Sequence, residues 1–229
     1  MLTREELADV LLQKKLPVTE NRMSYYLVRA AADQLICFGP RRGNAFTFAL
    51  LDEWLPPSPA LDRETALATM AFRYLNSRAP ATIKDFVWWS GLTLTAAREA
   101  FELVKDDFDT IKINEETFWI PIQPKAPAKP ELYLLPGFDE YIMSYTGRGL
   151  IIDPKHAKKI IGAGNGLLAA TIVSNGQVIG IWKRLIKNNK VVISASGFDS
   201  FTTTQETAIG KVARRYGKFL ALPVETAFS

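Results

Sequence analysis

Few side chains in this sequence have types and spacings that could do chemistry, and most of those are cations. His156 is the only histidine and Cys37 the only cysteine. A single histidine with no second group at a motif spacing gives no nucleophile–base pair. A single cysteine excludes an internal disulfide and a cysteine-based zinc site. His156 follows Asp153 by one helical turn and reads either as a capped structural histidine or as a phosphate contact. Asp139 and Glu140 are adjacent carboxylates that could serve as general acid or base. Their Phe138-Asp139-Glu140-Tyr141 setting favours a structural role, so no catalytic residue is assigned. Gly162-Ala163-Gly164-Asn165-Gly166 precedes a strand and reads as a loop. No Walker-type or dinucleotide phosphate loop and no metal-ligand spacing is present, so neither metal nor cofactor is expected.

The cations fall into patterns that suit phosphate. Lys183, Arg184, Lys187 and Lys190 surround an Asn188-Asn189 turn, as on a hairpin that enters a DNA groove; the bland reading is a solvated tip with lysines that blunt a sheet edge. Arg41, Arg42 and Asn44 lie in a glycine-flanked turn, where arginine suits phosphate geometry. Thr93, Thr95 and Arg98 stand where a recognition helix would begin. The competing reading there is threonine capping, and Glu99, Glu102, Asp106, Asp107 and Asp109 crowd the same region. Trp88 and Trp89 could stack on bases, but adjacent aromatics on a short helix more often divide between core and interface. Residues 124–229 carry 14 Lys and Arg against seven Asp and Glu. Residues 1–57 balance at seven each, and residues 58–123 carry seven against ten. The basic surplus therefore belongs to the C-terminal part, and nucleic acid is the commonest partner for such a surplus.

The elements that must hold these groups can be read from caps, turns and periodicity. Thr3 with Glu6 is a capping box opening a helix over residues 3–15. A second helix is expected over 20–35 with Thr19 as its cap. Residues 36–38 and 45–50 flank the Gly39–Asn44 turn as a hairpin. Leu67, Met70, Ala71, Tyr74 and Leu75 follow helical spacing, and Thr82 with Asp85 is another capping box. Residues 96–105 form a further helix, and strands then flank Asn114-Glu115-Glu116. Helix, helix–turn–helix and hairpin is the winged-helix order, shown twice, less completely the first time. Proline-rich Leu55–Pro59 and Gln123–Pro130 read as linkers. Beyond them, residues 167–173, an Asn175-Gly176 turn, 177–186 and 191–195 make three antiparallel strands of a curved sheet or small barrel. A helix follows from about Thr204 to Phe219, with Lys211, Arg214, Arg215 and Lys218 on its polar face.

The expected class is α+β: two tandem winged-helix modules (1–57 and 58–123) and a basic, β-barrel-like domain with a helix (131–229). Hydrophobic content of 48% and charged content of 23% are those of globular chains. No apolar run reaches 18 residues and the N-terminus has no signal pattern, so a membrane is not an expected partner and the cytoplasm is the expected location.

Several runs resemble one family. Leu135-Pro136-Gly137-Phe138-Asp139-Glu140-Tyr141 followed by Arg148 is similar to a signature of the AlkZ-like winged-helix DNA glycosylases. So are Asp153-Pro154-Lys155-His156, Asn165-Gly166-Leu167 and Val178-Ile179-Gly180-Ile181-Trp182-Lys183-Arg184. Ala81-Thr82, Asp85-Phe86 and Trp89-Ser90-Gly91-Leu92 fit as well, so the resemblance spans essentially the whole chain. It implies tandem winged helices and a β-barrel-like domain around damaged double-stranded DNA, with removal of alkylated bases. It also implies a catalytic Gln-x-Gln or Gln-x-Asp motif in an N-terminal winged helix. Gln13, Gln34, Gln123, Gln177 and Gln205 fit neither pattern, so no catalytic role carries over, and the chain is expected to lack that N-terminal catalytic domain. The alternatives are a non-enzymatic winged-helix DNA-binding or regulatory protein and a protein-interaction scaffold.

Overall fold

The computed structural model describes residues 1–19, 21–124, 132–161 and 168–229. Residues 125–130 of the second linker, the glycine-rich run at 162–166 and the Asn165-Gly166-Leu167 motif lie outside the described residues. The chain divides into two compact units, Met1–Leu61 and Asp62–Ser229.

The first unit runs β1 (Leu2–Thr3), α1 (Arg4–Gln13), α2 (Arg22–Ala32), β2 (Ile36–Phe38), β3 (Thr47–Leu50) and α3 (Leu51–Trp54). The Thr3–Glu6 box opens α1 as expected: the Glu6 amide donates to the Thr3 hydroxyl at 3.3 Å, and the Thr3 amide to the Glu6 carboxylate at 2.7 Å. α2 starts later than expected. Asn21 rather than Thr19 precedes it, and Asn21 makes no side-chain cap bond. The hairpin becomes a three-stranded sheet in the order β1-β3-β2, because the two residues of β1 pair with Thr47 and Phe48. So short a strand has no period to read. Among its described residues this unit buries only Thr3, Met23, Thr47 and Ala49, and an apolar groove of about 430 Å³ runs between Leu7, Leu11, Leu27 and Phe48.

The second unit opens with α4 (Arg63–Arg78), α5 (Ile83–Ser90) and α6 (Leu94–Glu102), then the hairpin β4 (Phe108–Ile113) and β5 (Glu116–Pro121). Asp62, Thr82 and Thr93 each cap a helix through a side-chain oxygen. Gly91 ends α5 in the left-handed region, at φ 72°, where a side chain would be strained. Tyr74, Leu75, Phe86 and Phe101 are fully buried and form the centre of this helical layer.

The rest is sheet and cover: β6 (Leu132–Leu135), α7 (Glu140–Met143), α8 (Ala157–Ile160), β7 (Thr171–Ser174), β8 (Gln177–Lys187), β9 (Lys190–Gly197), α9 (Thr203–Leu220) and β10 (Val224–Phe228). The α+β class holds. The three antiparallel strands expected from the turns are β7, β8 and β9, joined at Asn175–Gly176 and Asn188–Asn189. Two further strands make a five-stranded mixed sheet, β10-β9-β8-β7-β6, with β10 parallel to β9. This sheet does not close into a barrel. α9 covers one face, burying Val191 and Ile193 against Ala213. Ile142, Ile152 and Ile160 cover part of the other at Val173 and Val178. Apolar faces covered by other elements have no need to curl on themselves.

Candidate nucleic-acid interface

The end of the β8–β9 hairpin runs past β7, while β10 lies alongside β9 as far as Val191. β8 pairs with β7 only as far as Ile181, whereas it pairs with β9 from Gly180 to Lys187. Strand alternation then decides where each cation points. Arg184 stands opposite Ile193, on the face that α9 covers, and its guanidinium donates to the Tyr216 hydroxyl of α9. Lys183 and Lys187 stand on the other face, with Lys190 directly opposite Lys187. Leu185, between them, is 60% exposed. The structure thus brings Lys183, Lys187 and Lys190 together and sends Arg184 to the opposite side. Lys190 also donates to Glu225 of β10 at 2.6 Å, whereas Lys183 and Lys187 are in no ion pair with a described residue.

The other expected contact residues are placed as follows. Thr93 caps α6, accepting from the Ala96 amide at 3.2 Å. Thr95 and Arg98 are exposed on the first turns of α6. The neighbouring acid Glu99 is bound by Arg63, which removes part of the local repulsion. In the first unit, Arg42 donates to Glu6 at 2.6 Å and to the Met1 carbonyl at 3.2 Å. The backbone bond from Thr3, followed by that Arg42 contact, holds the Glu6 carboxyl below its ordinary value. Arg41 lies over the Phe46 ring at 4.2 Å, and Asn44 is exposed beside Gly43 in the turn. Both arginines of this turn therefore have partners within the unit.

His156 stacks on Phe198, with ring centroids 4.4 Å apart, so its apolar body is used in packing. Trp89 packs against Tyr74 and Phe86, and Trp88 donates its indole N–H to the Met143 carbonyl at 2.8 Å. The core-and-interface reading of the two tryptophans fits this arrangement.

The family-like signature builds a junction between the helical layer and the sheet. Asp139 caps α7, and the Tyr141 hydroxyl donates to the Gly176 carbonyl at 2.7 Å. Glu140 accepts from Arg78, from the Trp89 indole at 3.0 Å and from Ser144 at 3.3 Å. Arg148 donates to the Ile142 carbonyl at 2.8 Å. Asp85, only 3% exposed, is the junction's most buried carboxylate. One of its oxygens accepts from the Thr82 amide and hydroxyl, at 2.9 and 2.7 Å, and the other from the Thr146 amide and hydroxyl, at 2.7 and 2.8 Å. A carboxylate with four donors holds structure together; it has no lone pair directed at a substrate. Arg78, Ser144 and Thr146, and the bond from Tyr74 to the Ser144 carbonyl, are not legible in the sequence, because the partners lie about 60 or more positions away.

Tyrosines at this junction titrate late. Burial, then neighbouring Tyr141, pushes Tyr145 up to about 12, against the opposing pull of Arg78. Burial, then Asp85, raises Tyr74, and burial raises Tyr141. The unfolded chain loses these protons near pH 10 while the folded chain keeps them. Their contribution to stability is thus complete below about pH 10 and lost as pH rises towards about 12. Tyrosinate absorbance should rise in two phases, the late one coupled to loss of helical circular dichroism. A single phase near pH 10 in the folded chain would contradict this.

Comparison with known proteins agrees with this architecture. A family model described as DNA glycosylase AlkZ-like matches residues 1–219. The interstrand DNA cross-link repair glycosylase of Streptomyces sahachiroi is 28% identical over 204 residues, which are 80% of this chain and 53% of that protein. The solved structure of the S. sahachiroi DNA glycosylase AlkZ has the same fold, with a TM-score of 0.67 at 22% identity, over 99% of this chain and 65% of that one. The chain therefore spans about half the length of the curated relative it matches. With a family model covering nearly all of its residues, the chain belongs to the AlkZ-like DNA glycosylase family.

Proposed function

We propose that this chain binds double-stranded DNA as the DNA-binding portion of an AlkZ-like glycosylase, acting in repair of alkylated or cross-linked DNA in the cytoplasm. The observation that carries the reading is the β8–β9 end beyond β7, which sets Lys183, Lys187 and Lys190 on the sheet face opposite α9. That face lies in the part of the chain holding the whole positive surplus. Phosphate contacts of this kind position a protein without reading sequence. The matched relative is an interstrand cross-link repair glycosylase by name, which favours damaged DNA as the ligand. In this reading α4 to β5 acts as a winged-helix module with the start of α6, at Thr93, Thr95 and Arg98, as an auxiliary contact. The module over 1–57 adds Arg41 and Asn44, while Arg42 must leave Glu6 to reach a phosphate.

The test is duplex affinity across a salt series. Each neutralised phosphate contributes about 0.9 to the slope of log affinity against log salt. Replacing Lys183 and Lys187 with Gln should therefore make the slope shallower by about 1.8. Lys190→Gln should change it less, because Glu225 already occupies that ammonium, and Arg184→Gln should leave it unchanged. A folded double variant with the wild-type slope would remove this face from the DNA interface.

A further inference from the structure

α9 carries a second basic surface that faces away from the first. Ile209, Gly210, Ala213 and Gly217 are buried against the sheet. Lys211, Arg214, Arg215 and Lys218, at helical spacing 0, 3, 4 and 7, are all exposed on the outer side. None of the four is in an ion pair with a described residue. Glu206, in the first turn, is the only acid of the helix. Lys211 and Arg215, and Arg214 and Lys218, are like charges four residues apart and repel each other. A helix surface of this kind is relieved by a polyanion laid along it. It extends over about 10 Å, a length along which a duplex presents several phosphates. Phe219, 82% exposed, continues the surface at the helix C-terminus.

Lys183 and Lys187 project from the opposite face of the sheet, with the sheet and α9 between the two sets of cations. A single straight duplex touches one of these surfaces and not both. We propose that the outer face of α9 is a second duplex-binding surface, so that one chain holds two DNA duplex segments at once. This rests on the reading of the β8–β9 face as the first surface.

The experiment mixes the 229-residue chain with donor-labelled and acceptor-labelled duplexes of about one helical turn. Energy transfer is followed during titration, and sedimentation reports how many chains and duplexes each complex contains. Three proteins are compared: wild type, Lys183→Gln with Lys187→Gln, and a variant with Lys211, Arg214, Arg215 and Lys218 all changed to Gln. Glutamine is a good helix former and the positions are exposed, so α9 is retained; circular dichroism checks this. Wild type should form complexes of one chain with two duplexes. Its energy transfer should rise and then fall as protein passes into excess. The α9 variant should bind one duplex through the hairpin face and show no transfer, with second-duplex affinity down by tenfold or more. The hairpin variant should also bind only one. One duplex per wild-type chain, weakened only in the hairpin variant, overturns the second surface and leaves the first. One duplex weakened only in the α9 variant overturns both readings, since α9 is then the sole surface. One duplex weakened in both variants indicates a bent duplex reaching both faces and overturns the two-duplex proposal. Binding unaffected in either variant overturns both surfaces.

Discussion

Asp85→Ala is expected to destabilise the chain by about 3 kcal/mol, although Asp85 has no place in any DNA contact. The carboxylate is buried and accepts four hydrogen bonds, two from the start of α5 and two from Thr146. The hydroxyls of Thr82 and Thr146 can rotate towards other acceptors, but their backbone N–H groups cannot. Removal of the carboxylate leaves two nearly fixed donors without their acceptor: the amide of buried Thr82, for which such a loss costs about 1–3 kcal/mol, and that of exposed Thr146, which water can reach and for which it costs less. Part of the capping box at α5 is lost as well, which accounts for about 1 kcal/mol of the total. Asp85→Asn keeps the volume but sets an amide NH₂ against one pair of donors, and it should be only slightly milder. Urea unfolding followed by tryptophan emission is a suitable readout, because Trp88, Trp89 and Trp119 lie in or beside this layer. A loss under 1 kcal/mol for Asp85→Ala would show that the helical layer and the sheet are held together elsewhere.

The double use of Asp85 also shows how far the sequence could be read. Its bond to Thr82 is local, three residues away, and the pair is legible as a capping box. The same holds for Thr3 with Glu6, for the Asn175-Gly176 turn and for the proline after Asp153. The bonds from Asp85 to Thr146 span 61 positions, and no spacing rule reaches that far. Arg78 with Glu140 and Tyr74 with the Ser144 carbonyl are hidden for the same reason. Alternation along β8 was enough to place Lys183 and Arg184 on opposite faces. Which face is open depends on α9 lying over Ile193, a contact set by the tertiary fold. β10 was missed because a five-residue strand beginning just after Pro223 carries little pattern, and its parallel pairing needs α9 as a crossover. The barrel expectation followed from three antiparallel strands with tight turns; with β6 and β10 added and both faces at least partly covered, the sheet stays open.

Two glycines in α9 should respond to substitution with opposite signs. A Cβ added at Gly217 would stand 1.9 Å from Val224 Cγ2 and 2.8 Å from the Leu222 carbonyl oxygen. Both atoms belong to the return of the chain into β10, so glycine here lets the helix lie close against the strand beside it. At Gly210 a Cβ would meet only the Arg214 guanidinium, at 3.6 Å, and that flexible side chain can move aside. Gly210→Ala should therefore stabilise the chain by about 1 kcal/mol, the helix-propensity gain with no opposing clash. Gly217→Val gains a smaller propensity term of about 0.4 kcal/mol. Against it stands overpacking at the severe end of the usual range, about 3 kcal/mol. The clash outweighs the gain, and the element able to yield is β10, an edge strand bonded only to β9. Hydrogen exchange should show Val224–Phe228 losing protection in Gly217→Val before the rest of the sheet does. The Lys190–Glu225 pair should loosen with it, freeing Lys190 on the proposed DNA face. The two variants differ by about 4 kcal/mol in expected stability, well above the error of a denaturant titration. Equal stability for both would mean that α9 does not pack against β10 through Gly217.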